Sequence, residues 1–122
     1  MRLLYVDDDR INTLLFEEAC RLVEGIEVHT AADGAEAVEV AGSALPQALV
    51  LDLHLPDIDG CALLARLRGL PGLDRAPAFL CSADDPASLH RQAQAAGFDA
   101  CWVKPIDPTT LMAHLSALRA SL

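Results

Sequence analysis

Three consecutive aspartates, Asp7-Asp8-Asp9, close the first apolar run of the chain, Leu3-Leu4-Tyr5-Val6. Adjacent carboxylates repel one another and ionise together only at a cost unless positive charge sits beside them, so the cluster calls for a bound cation. Other apolar runs also end on residues with chemical uses. Ala48–Leu51 is followed by Asp52, Ala78–Cys81 by Ser82, and Ala100–Val103 by Lys104-Pro105, whose lysine is the only one in the chain. Hard oxygen ligands without a thiolate or an imidazole pair favour magnesium or manganese over zinc. Asp8 and Asp52 fit as direct ligands, with Asp7 holding a bound water. A carboxylate is also a competent nucleophile toward phosphorus. The aspartyl phosphate so formed carries extra negative charge, which a metal and Lys104 would neutralise while Ser82 donates a hydrogen bond.

Taken singly these residues mean little. An acidic run after a strand is commonly a solvated turn and helix cap, and a lone serine, aspartate or Lys-Pro pair is commonly loop punctuation. Their joint position at successive strand ends carries the functional reading. Short apolar runs alternate with segments of helical period, which marks βαβ units around a parallel sheet. Five such pairs are expected. The first helix is expected over about residues 10–23, with Asp9 as its cap and Ile11, Leu14, Leu15, Ala19 and Leu22 on one face. Ile26, Val28 and Thr30 make a short second strand, and Ala37, Val38 and Ala41 mark a small-residue helix after Asp33-Gly34. Leu63, Leu64 and Leu67 place the third helix within 59–69, before a loop containing Pro71, Gly72 and Pro77. The last two helices open with Asp85-Pro86 and Asp107-Pro108, a cap followed by proline at the first helical position. Gly97 ends the fourth, and Leu111, Leu115, Leu118 and Leu122 form the stripe of the fifth. Residues just beyond parallel strands share one edge of the sheet, where ligands of open α/β folds bind. Asp7, Asp8, Asp52, Ser82 and Lys104 should therefore meet.

The 122 residues suffice for one domain spanning 1–122, able to bury its core without disulfides or structural metals. A formal charge of −9 argues against direct nucleic-acid contact. No apolar run reaches the length of a membrane helix, and the early acids rule out a secretory signal, so the expected location is cytoplasmic. Cys20, Cys61, Cys81 and Cys101 form no C-x-x-C pair and suit reduced core positions. His29, His54, His90 and His114 are scattered without metal-ligand spacing.

The residues at the strand ends resemble a known family. The Asp7-Asp8 pair, the D-x-x-x-P-x-x-D-G pattern from Asp52 to Gly60, Ser82 and Lys104-Pro105 look like the receiver domains of two-component response regulators. The resemblance spans essentially the whole chain. It implies a flavodoxin-like (βα)5 fold, with a doubly wound, five-stranded parallel sheet in the order 2-1-3-4-5. It further implies that Asp52 is the phosphoacceptor, that Asp7, Asp8, Asp52 and the His54 backbone carbonyl hold Mg2+ (Mn2+ being possible), that Ser82 and Lys104 bind the phosphoryl group, and that the bond before Pro105 is cis. The implied partners are a sensor histidine kinase or phosphotransfer protein, and an output domain or protein at the face of the fourth helix, fifth strand and fifth helix. Such a domain catalyses only its own phosphorylation and dephosphorylation.

Two positions depart from the family pattern. The residue three before the lysine, usually an aromatic that rotates as the switch, is Cys101, and Trp102 beside it lies on the opposite pleat. The positions that tune phosphoryl hydrolysis hold His54 and Asp84. Three other readings compete. A haloacid-dehalogenase-like phosphohydrolase would need a second aspartate where His54 stands, and room for a cap. A flavodoxin would need a Ser/Thr-rich phosphate loop in place of the acids. A receiver-like module acting by binding alone would keep the fold without the phosphorylation.

Overall fold

The computed structural model describes residues 1–121, so Leu122, read as the last position of the fifth helical stripe, lies outside them. Five strands and five helices alternate: β1 (Arg2–Val6), α1 (Arg10–Arg21), β2 (Glu27–Ala31), α2 (Gly34–Ala44), β3 (Ala48–Asp52), α3 (Gly60–Arg68), β4 (Ala78–Ser82), α4 (Pro86–Ala96), β5 (Ala100–Val103) and α5 (Pro108–Ala120). The strands form one parallel sheet in the order β2-β1-β3-β4-β5, the order the family resemblance implies. The central strand β3 is buried along its whole length, as a strand covered by helices on both faces must be.

The two faces of the sheet carry separate cores. Leu4, Val6, Leu49, Leu51 and Leu80 pack under α2, α3 and α4 with Ala37, Leu63, Leu67 and Leu89. On the other face Tyr5, Val50, Cys81 and Trp102 meet Phe16 and Cys20 of α1 and Leu111, Leu115 and Leu118 of α5. The strand alternation thus sends Cys101 and Trp102 to opposite cores.

The apolar face read for α1 is only partly the one that is buried. Ile11, Leu14, Leu15 and Leu22 are 69, 51, 61 and 66% exposed, whereas Phe16, Ala19, Cys20 and Val23 are buried. The helix carries apolar residues on two faces, and the face that enters the core is the i, i+3, i+4, i+7 set beginning at Phe16. That set holds the bulkiest side chain, and Phe16 stacks on Tyr5 with ring centroids 3.9 Å apart. The stripe of α5 is buried as expected at Leu111, Leu115 and Leu118.

Caps fix where each helix begins, and therefore where each strand-end loop must turn. Asp9, Asp33, Asp59, Asp85 and Asp107 each accept hydrogen bonds from backbone N–H groups in the first turn of the following helix. Gly97 ends α4 in the left-handed region at φ 89°. Gly60 has a different reason to lack a side chain: a Cβ there would lie 2.5 Å from the carbonyl oxygen of Asp52 and 3.0 Å from Leu80. The obstacle is strand backbone, which cannot step aside. Gly60→Ala should destabilise the fold by about 1–3 kcal/mol through overpacking, read as a lower denaturant midpoint with an unchanged slope.

Candidate functional site

Asp7 follows β1, Asp52 is the last residue of β3, and β1 and β3 are adjacent, so both acids emerge at the point where strand order reverses. Carboxylate oxygens of Asp7, Asp8 and Asp52 lie within 4.8 Å of one another. Asp7 and Asp52 are buried, while Asp8 is exposed. Lys104, just beyond β5, reaches back to the same point: its Nζ is 2.7 Å from Asp7 Oδ2 and 3.3 Å from Asp52 Oδ2. Its backbone N–H donates to the Ser82 carbonyl at 2.8 Å, and the peptide bond to Pro105 is cis. Ser82 is buried at the end of β4, the strand beside β3. The residues singled out from the sequence thus gather along one sheet edge.

Each buried carboxylate has its own support. Asp7 Oδ1 accepts from the Asp9 N–H at 2.9 Å, and Asp7 Oδ2 accepts from both the Tyr5 hydroxyl and Lys104 at 2.7 Å. Asp52 Oδ1 takes a longer contact from the His54 N–H, 3.4 Å. Burial raises the pKa of both acids, but the outcomes differ. At Asp7 the Lys104 hydrogen bond, the Asp9 N–H and the Tyr5 phenol outweigh burial and hold the carboxyl below its ordinary value. At Asp52 burial wins over the attraction of Lys104, with the charge of Asp7 adding to it, and the carboxyl titrates above its ordinary value. Lys104 loses some basicity to burial and regains more from Asp7 and Asp52, so it remains a cation. Of the two acids competing for one ammonium, Asp7 holds the closer contact and stays ionised.

The donor set suits a hard divalent cation. Three carboxylates converge with no thiolate or side-chain imidazole among them, and magnesium prefers oxygen donors and retains part of its water shell. Asp7 and Asp8 also line an open cleft with Arg10, Thr13 and Glu36.

Two contacts at the site have no simple counterpart in the sequence. His54 Nε2 and Asp84 Oδ2 are 2.7 Å apart, a bond between the β3–α3 and β4–α4 loops. Nothing local announces it, because 30 residues separate the two. Asp57 accepts from the Gly34 and Ala35 N–H groups at 2.9 and 3.0 Å and so pins the β3–α3 loop to the start of α2. Those N–H groups hold the Asp57 carboxyl below its ordinary value, Gly34 contributing most, and a Cβ on Gly34 would collide with Ile58. Tyr5 does have a sequence signal: it lies two residues before Asp7, hence on the same side of the strand.

A family model described as the response regulator receiver domain matches residues 3–116. The chain belongs to the response regulator receiver family. Among curated relatives of this receiver domain, the transcriptional regulatory protein PrrA of Mycobacterium leprae is 37% identical over 117 residues, covering 96% of the chain and 49% of PrrA. The response regulator PleD of Caulobacter vibrioides is 34% identical over 117 residues, covering 96% of the chain and 26% of PleD. The chain thus spans half or less of the length of these relatives. A putative response regulator from Chloroflexus aurantiacus superposes with a TM-score of 0.87 at 34% identity, covering 98% of this receiver and 97% of that chain. The chemotaxis response regulator CheY4 of Vibrio cholerae gives a TM-score of 0.87 at 26% identity, covering 96 and 97%. The expectation drawn from the strand-end residues is met at the level of family and fold. Among the described residues no helix is long and apolar enough to cross a membrane.

Proposed function

We propose that residues 1–122 form a receiver domain that accepts a phosphoryl group on Asp52 and uses it to signal to a partner. The observation that carries this reading is the placement of one lysine against two buried acids, with a third acid within ligand distance. Asp7, Asp8 and Asp52, with the His54 backbone carbonyl, would hold Mg2+ or Mn2+. A divalent ion there supplies positive charge to donor and acceptor oxygens during phosphoryl transfer. An Asp52 carboxylate oxygen attacks the phosphorus of a phosphohistidine or a small phosphodonor. The new O–P bond forms as the bond from phosphorus to the leaving group breaks, and that group departs with its electron pair. Ser82 Oγ–H and the Lys104 ammonium then bind phosphoryl oxygens.

The donor in this reading is a sensor histidine kinase or phosphotransfer protein in the cytoplasm, and the chain needs no direct nucleic-acid contact. The output domain or partner protein meets the α4-β5-α5 face. Ser82 and Lys104 begin the loops that lead into α4 and α5, so drawing both toward new charge shifts a pre-existing equilibrium at that face. Cys101 stands where the family has an aromatic switch, and on the opposite side of β5 Trp102 stacks between Phe79 and His114 with centroids 4.9 Å from each.

The deciding experiment is incubation with magnesium and acetyl phosphate, followed by intact-mass measurement. One phosphoryl group per chain supports the receiver reading. Sustained turnover of phosphomonoesters would indicate a hydrolase, and no labelling a module that acts by binding alone.

The raised pKa of Asp52 fixes the sign of the pH dependence. Metal binds the ionised carboxylate, and protons compete for it up to a higher pH than for an ordinary aspartate, which titrates near pH ~4. Magnesium affinity should therefore weaken on acidification while ordinary aspartates are still ionised. In Asp52→Asn the acid-side loss should move to lower pH, since Asp7 is held down. Calorimetric titration across a pH series checks this, and coincident profiles for the two proteins would contradict it.

A further inference from the structure

Asp7 Oδ2 has two donors, and only one of them belongs to the phosphoryl-transfer machinery. Lys104 Nζ and the Tyr5 hydroxyl both reach this oxygen at 2.7 Å. In the proposed function Lys104 leaves for the phosphoryl group on Asp52, which would strip a buried carboxylate oxygen of its strongest partner. A buried acceptor left without a donor is destabilised, the more so when it is charged. Tyr5 meets that need. Its ring is 3% exposed, it is clamped by the Phe16 stack, and its only polar atom points at Asp7.

We propose that Tyr5 is a positioning residue of the phosphoryl-transfer site: its hydroxyl holds the Asp7 carboxylate in its metal-ready orientation and keeps hold of it when Lys104 moves away. The inference rests on the receiver reading and adds to it a residue outside the five strand-end positions. It also joins the site to α1, because the same ring that holds Asp7 packs on Phe16. Positioning through an outer hydrogen bond of this kind typically changes metal affinity by about 10–100-fold when it is removed.

Tyr5→Phe tests the idea, since it keeps the ring and its stack and deletes one hydroxyl. Magnesium affinity measured by calorimetry should fall about tenfold, at an unfolding midpoint that remains cooperative. The acetyl phosphate labelling rate at limiting magnesium should fall by a similar factor and recover substantially at saturating magnesium. Affinity within twofold of the parent would overturn the proposal. Tyr5 is the sole tyrosine of the chain, so its ultraviolet resonance Raman signature in the unmodified protein gives a second test that requires no variant. A phenol that remains a hydrogen-bond donor with magnesium and a phosphoryl-mimicking beryllofluoride added supports the proposal. A phenol that ceases to donate in that state overturns it. Should the parent protein itself take up no phosphoryl group, the receiver reading fails, whereas parent labelling with an unaltered Tyr5→Phe affinity removes only Tyr5 from the site.

Discussion

Asp52→Asn should abolish phosphoryl uptake from magnesium and acetyl phosphate, with the labelling rate down about a thousandfold or more. The amide has no ionised oxygen to attack phosphorus, and loss of the attacking group is among the most costly changes a covalent mechanism can suffer. The same change should make the metal-free protein more stable. Burial and the charge of Asp7 raise the Asp52 pKa, so ionising this carboxyl costs folding free energy. Its contribution is most favourable below the raised pKa and is lost as pH rises through it. Asparagine is nearly the same size, keeps an oxygen for the His54 N–H, and removes that charge. A variant that is inert yet more resistant to denaturant separates loss of chemistry from loss of fold. Persistent stoichiometric labelling of Asp52→Asn would move the acceptor elsewhere.

Lys104→Ala should have the opposite balance. The lysine side chain is 14% exposed and faces Asp7, whose side chain is fully buried. Removing one partner of a buried pair leaves the other uncompensated and costs about 3–5 kcal/mol. Without the ammonium, a divalent ion would be the remaining cation available to Asp7 and Asp52, so metal should restore more stability to this variant than it adds to the parent. At a magnesium concentration about a hundredfold above Kd the expected increment is about 2.7 kcal/mol, comparable to the loss itself. Chemical unfolding with and without magnesium measures both quantities. An equal metal increment in the two proteins would mean that lysine and metal do not share the same carboxylates. The variant should also label slowly, because Lys104 no longer offsets the charge of the incoming phosphoryl group.

The exposed residues of α1 show why burial was harder to read than fold. Ile11, Leu14 and Leu15 recur at helical spacing and so does the Phe16 set, and a helix with two apolar faces does not reveal from its own sequence which one the sheet will cover. The sheet side of the contact decides. Tyr5 offers a flat ring on that face, and Phe16 matches it. The neighbouring cleft between α1 and the Lys104–Ile106 loop is lined by Leu15, Tyr5 and Leu111.

Residue order alone determined the alternation of strands and helices, because apolar runs of strand length, aspartate caps and prolines at first helical positions are local signals that physical chemistry reads the same way in any context. It also determined which residues stand at the ends of strands, and with a parallel sheet that was enough to name Asp7, Asp8, Asp52, Ser82 and Lys104. Only the tertiary structure decided how their charges are shared: Lys104 lies closer to Asp7 than to Asp52, which holds one carboxyl down and leaves the other raised. The Tyr5 hydroxyl on Asp7, the His54–Asp84 bond and the Asp57 cap on α2 were decided there too. Hydrogen bonds and pKa shifts depend on distances of a few ångströms between groups on different elements. Those distances are set by how the strands register and the helices pack, which the local pattern along the chain does not encode.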